Sequence, residues 1–81
     1  MQVDLQLAVR AALRGDWEQA HQIAQESDDR IGCWIHAVLH KIEKDEGNSR
    51  YWYARAHRSY DEYADPTVEL KAIADHLEKM T

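Results

Sequence analysis

Arg14-Gly15-Asp16-Trp17-Glu18-Gln19-Ala20 is the stretch that decides the fold. The apolar residues before it recur at helical spacing and stop at Gly15, a common helix terminator. Asp16 then offers a carboxylate to the free amides of a new first turn, with Gln19 three residues on, as in a capping box. The pattern returns in weaker form 29 residues later, at Glu43-Lys44-Asp45-Glu46-Gly47-Asn48-Ser49. Each copy holds a turn, a capping Asp and a small residue (Ala20, Ser49) four places on. A helix–turn–helix that recurs at such a period predicts stacked hairpins.

Working outward, the spacing is helical almost everywhere, and no segment alternates at period two. The first helix covers roughly Val3 to Arg14, and the second starts at Asp16. Ser27-Asp28-Asp29 makes the next break and caps a third helix to about Glu43. Its Ile31, Trp34, Ile35, Val38, Leu39 and Ile42 form one apolar stripe, the clearest in the chain. Asp45 caps a fourth helix, with Ser49, Trp52, Tyr53, Ala56 and Tyr60 on one face. Gly47 near its start costs helix propensity, which suggests a close approach by a neighbouring backbone. Asp65-Pro66 opens a last helix, since Asp favours the cap and Pro the first helical position. The reading is an all-α chain of about five helices in one domain, residues 1–81. Its hairpins span 3–26 and 30–60, and a helix over 66–80 caps the exposed end of the second hairpin.

The 81 residues carry a net charge of −5 with their basic residues scattered, which disfavours nucleic acid as a partner. No run approaches transmembrane length, so no membrane partner is expected and a cytoplasmic location is the simplest reading. Cys33 is the one cysteine, which excludes an internal disulfide and a cysteine zinc cluster.

Gly15-Asp16-Trp17-Glu18-Gln19-Ala20 resembles the turn and second-helix start of a tetratricopeptide repeat. Ser49-Arg50-Tyr51-Trp52-Tyr53-Ala54-Arg55-Ala56 is similar to the second helix of the related Sel-like repeats. Lys44 stands where those repeats usually have Gly, and Ser49 where they have Ala. The pairing of Trp34-Ile35-His36-Ala37-Val38-Leu39-His40 with Asn48-Ser49-Arg50-Tyr51-Trp52-Tyr53-Ala54-Arg55-Ala56 also resembles a group of short bacterial proteins of uncharacterised function. That resemblance implies that the His pair and the Tyr-Trp-Tyr-Arg segment matter.

His36 and His40 lie one helical turn apart, with Glu43 three residues further on, on a face opposite the Trp34–Ile42 stripe. Two imidazoles and a carboxylate can bind a divalent transition metal, and the competing reading is a solvated or hydrogen-bonded helix face. Tyr51, Arg55 and Arg58 form a second stripe, suited to a carboxylate, a phosphate or an acidic loop, or else an ordinary polar face. Trp17, Trp34 and Trp52 sit on core stripes. Cys33, three residues before His36, reads as a small packing residue because no third group orients it. Asp16, Asp28, Asp45 and Asp65 are accounted for by capping, and no phosphate loop or nucleophile elbow is present.

The expected function is a non-catalytic protein–protein interaction module that binds a protein or peptide without a cofactor. The alternative is a metal- or small-ligand-binding protein, an enzyme included, using His36, His40 and Glu43. A homodimer is also expected. The first helix is apolar on two sides, with Leu5, Ala8, Val9 and Ala12 on one and Val3, Leu7 and Ala11 on the other. The last helix is assigned elsewhere, so a second protomer is wanted to cover the remaining side.

Overall fold

A computed structural model describes residues 3–80, so Met1, Gln2 and Thr81, the ends of the expected 1–81 domain, lie outside the described residues. Five helices follow one another: α1 (Leu5–Leu13), α2 (Trp17–Ala24), α3 (Arg30–Ile42), α4 (Glu46–Ala56) and α5 (Pro66–Lys79). The all-α reading holds, and no strand occurs among the described residues.

Each helix starts on an aspartate. The side chains of Asp4, Asp16, Asp29, Asp45 and Asp65 accept hydrogen bonds from Leu7, Gln19, Ile31, Asn48 and Thr67 amides. The third cap is therefore Asp29 rather than Asp28, because it is the Asp29 carboxylate that accepts from the free first-turn amide of Ile31, at 2.7 Å. The two hairpin turns share one geometry. Gly15 and Lys44 both take left-handed backbones, at φ +87° and +65°. The amide that follows each reaches back to a carbonyl five residues earlier, Asp16 to Ala11 at 2.8 Å and Asp45 to His40 at 2.9 Å. Lys44 thus occupies a conformation that glycine adopts without the cost borne by a Cβ.

Two expectations about α3 and α4 change. Every residue from Ile31 to His40 is buried, so α3 has no solvent face along that length. It is the central helix, packed by α1, α2, α4 and α5, and a helix enclosed on all sides carries side chains of every kind inward. Trp34 lies in the core at 3% exposure, whereas Ile42, at the end of the same stripe, is 39% exposed. Gly47 has nothing near its missing Cβ. The close approach is at Gly32, where a Cβ would collide with the Ser27 side chain.

The last helix packs on α3 of the second hairpin and also on α1 of the first. α1 therefore meets α2 on one side and α5 on another. Ala8, Val9 and Ala11 are buried, and Val3, Leu5, Leu7 and Ala12 half-buried. The two apolar sides that motivated a homodimer are thus partly or wholly buried within the one chain.

α5 is held by a buried polar cluster. Glu69, fully buried, accepts from Trp34 Nε1 at 2.8 Å, Tyr53 Oη at 2.6 Å and Lys41 Nζ at 2.9 Å. Lys41 Nζ also donates to the Tyr60 and Tyr63 carbonyls, each at 2.9 Å, which fixes the segment between α4 and α5. Burial, then the bond to Glu69, pushes the Tyr53 hydroxyl far above its ordinary pKa. Every charged atom here has partners, the condition under which ions are tolerated in a core.

Candidate functional site: a histidine cluster between three helices

The face of α3 opposite Trp34 and Lys41 meets α2 and α4. Two contacts set how closely. Trp17, the first residue of α2, donates its indole N–H to the Leu39 carbonyl at 2.6 Å. Ser49 on α4 is fully buried and donates its hydroxyl to the Ala37 carbonyl at 2.7 Å. A larger residue at 49 would push the helices apart, which gives the small residue of the repeated pattern a physical role.

These contacts bring three imidazoles together. One turn beyond Trp17, His21 stacks on that indole with centroids 4.7 Å apart. The His21 ring stands edge-on to His36 at 4.6 Å and to His40 at 5.3 Å. His36 and His40 face each other at 4.9 Å. Trp52 of α4 lies flat on His36 at 3.9 Å, so two indoles wall the cluster. One ring nitrogen from each histidine lies within 4.8 Å of the others.

The hydrogen bonding is uneven. His40 Nδ1 lies 2.5 Å from Glu43 Oε1, where it donates to a carboxylate that is itself partly exposed. A neutral His40 ring that donates from Nδ1 would keep its lone pair at Nε2. His36 Nδ1 is buried without a hydrogen-bond partner. Burial, reinforced by His21 and His40, lowers the His36 pKa from 6.5 to about 4. Burial and His40 also lower that of His21, against an opposing effect of Glu43. Both rings are neutral at pH 7, the state in which imidazole ligates metals.

The sequence-derived set His36, His40 and Glu43 is brought together, but not on a solvated face. The two histidines are 5% and 7% exposed and lie inside the molecule. Glu43 supports His40 from the outside. The residue absent from that set is His21, half-buried on α2. Its only sequence signal is its place four residues after Trp17, on the same side of the helix. A second group, His40, Glu43 and Asp45, is also close enough to share an ion. Asp45 in that group is already engaged as the α4 cap, by the Asn48 amide and side chain.

The expected Tyr51–Arg55–Arg58 stripe divides. Tyr51 is 55% exposed, and Arg55 lies over both the Tyr51 and the Trp52 rings. Arg58 is on the other side of α3, its guanidinium 3.6 Å from the Trp34 ring centre. α4 ends at Ala56, and His57, at φ +60°, turns the chain before Arg58 can extend the helical face.

No helix among the described residues is long and apolar enough to cross a membrane. No family model, curated protein or solved structure matches the chain.

Proposed function

We propose that the protein binds one divalent transition-metal ion through His21, His36 and His40, with Glu43 orienting His40. The observation that carries this is the convergence of three imidazole nitrogens within 4.8 Å in a partly enclosed site. Ligands bonded to one zinc ion at about 2.0–2.1 Å stand roughly 3.4 Å apart in a tetrahedron, so modest ring rotations close the site. Three imidazole nitrogens suit zinc, cobalt or nickel, with one position left for water or an incoming ligand. A carboxylate on the far nitrogen of a ligating imidazole fixes its tautomer and raises its basicity, the part assigned to Glu43.

The buried Nδ1 of His36 has no hydrogen-bond partner, a cost that a bound cation would remove. The non-catalytic interaction reading stands beside the metal site and draws on a different observation. Tyr51 and Arg55 form an exposed aromatic–arginine patch of the composition enriched at protein interfaces. Trp52, under Arg55 and over His36, joins that patch to the metal ligands.

The test is calorimetric titration of Zn2+ into untagged protein first dialysed against a chelator. One ion per chain is expected, with binding lost in His21→Ala and weakened about 10–100-fold in Glu43→Gln. Titration with Co2+ should give the intense visible bands of a four-coordinate site. No saturable binding, or a His21→Ala protein that binds like the parent, would remove the reading.

A further inference from the structure

A second site lies across α3 from the histidines. A cleft of about 350 Å3 opens where the start of α3, the segment after α4 and the end of α5 meet. Its walls carry Arg30 from α3, His57, Arg58 and Ser59 from the segment after α4, and His76 from α5. These basic residues come from three separate stretches of the chain, and only the fold collects them. Glu62 is the one acidic residue on the wall. In a chain of net charge −5 such a gathering of cationic and imidazole groups is a local exception.

The guanidiniums differ in how they are held. Arg58 lies 3.6 Å above the Trp34 ring, and Trp34 is itself fixed through its indole N–H to Glu69. An arginine stacked on a fixed ring keeps its orientation, so little freedom is lost when its N–H groups take up an anion. Its contact with Glu62 is long, 3.3 Å, and partly exposed on both sides. Arg30, at the first turn of the thirteen-residue α3, has no carboxylate within ion-pair distance among the described residues. The Asp29 carboxylate caps the end of α3, so the cationic field here comes from the side chains rather than from the helix end.

We propose that this cleft binds the phosphate group of a small phosphate monoester. Arg58 provides a paired donor face, Arg30 a second cation, and Ser59, His57 and His76 further hydrogen-bonding groups at the rim. The volume is at the lower end for ligand pockets, so it fits a small metabolite rather than a dinucleotide. Glu62 competes with the phosphate for Arg58 and must swing aside. This site rests on residues separate from the metal ligands and stands or falls independently of them.

Chemical-shift titration of the 15N-labelled chain tests it, with phenyl phosphate and inorganic phosphate as probes at constant ionic strength. Saturable shifts are expected at the backbone amides of 57–59 and at the Trp34 indole N–H, with phenyl phosphate the tighter probe. Arg58→Gln should weaken binding about tenfold or more through loss of a paired charge-assisted contact, and Arg30→Gln should do so to a smaller degree. Glu62→Gln should tighten it, an effect that a merely structural role for Glu62 would not produce. Inorganic phosphate binding as tightly as phenyl phosphate would make free phosphate the ligand and overturn the monoester. Shifts that fail to saturate, or that survive unchanged in Arg30→Gln and Glu62→Gln, would overturn the site.

Discussion

Lys41–Glu69 and His21–His36–His40 are both buried polar clusters on α3, and they are built on opposite principles. Around Glu69, each carboxylate oxygen and the Lys41 ammonium find partners within 2.9 Å. Around His36, one nitrogen has no partner, and the rings are held by stacking on indoles and on one another. A saturated cluster specifies one packing arrangement and has no valence left for a ligand. An unsaturated cluster leaves lone pairs facing inward, at a cost to the fold that a bound cation would remove. The contrast separates a structural device from a candidate functional one without reference to any relative.

The largest effect should come from breaking the saturated side. Lys41→Met leaves the Glu69 charge buried and the Tyr60 and Tyr63 carbonyls without their donor. Removing one partner of a buried pair costs about 3–5 kcal/mol, a large share of the stability of a domain this small. Urea unfolding measures it. A loss below about 1 kcal/mol would show that the pair is not what anchors α5.

The unsaturated side should respond to pH instead. Between about pH 6.5 and about 4 the unfolded chain binds a proton at position 36 and the folded chain does not. Stability should therefore be level above pH 6.5 and fall as the pH drops through that window. His36 alone accounts for about 3 kcal/mol of that fall, and His21 adds in the same direction. Urea midpoints at pH 7 and pH 4 measure it, with His36→Phe as the reference that removes its share of the slope. Equal slopes in parent and variant would mean that His36 protonates in place.

How far these two clusters were legible in the sequence follows from the range of the forces. Asp16, Asp45 and Asp65 were readable as caps because a cap acts within three residues. The turn at Lys44 was readable only through its likeness to Gly15. The pairing of Lys41 with Glu69 spans 28 positions, and each residue lies in a stretch that reads as a polar helix face. Only the docking of α5 on α3 turns both inward. The spacing of His36 and His40 was plain, but their burial was not, since a central helix is defined by what surrounds it. His21 joins them only because α2 packs against α3. Arg58 left the expected stripe because His57 adopts a left-handed backbone that its side chain does not announce, as a Gly or Asn would.

Metal addition should separate the clusters further. Zn2+ at a hundred times its Kd should stabilise the folded chain by about 2.7 kcal/mol if it does not bind the unfolded one. The gain should shrink as the pH falls toward about 4, where protons compete with the metal for His36 in the folded chain. It should persist in Glu69→Gln, whose deficit lies across α3, and vanish in His21→Ala. Thermal melts with metal and with chelator decide this. A gain that tracks the Glu69 substitution rather than the histidines would erase the distinction between the two regions.

The smallest effect on stability should carry the clearest message. His36→Phe keeps a flat aromatic ring against Trp52 and removes the buried nitrogen that has no partner. The ring that replaces it gives up no hydrogen bond at Nδ1, where none is made, and the stack is preserved by shape. Stability at pH 7 should change by less than about 1 kcal/mol, and an increase is the expected sign, since an unsatisfied buried polar atom is itself a cost. Zinc binding should be lost in the same protein. A residue whose removal leaves the fold intact or firmer while abolishing ligation is one retained for function rather than packing. If instead His36→Phe is as damaging as Lys41→Met, His36 belongs to a structural network like that of Glu69. The histidine cluster would then be a core feature rather than a site.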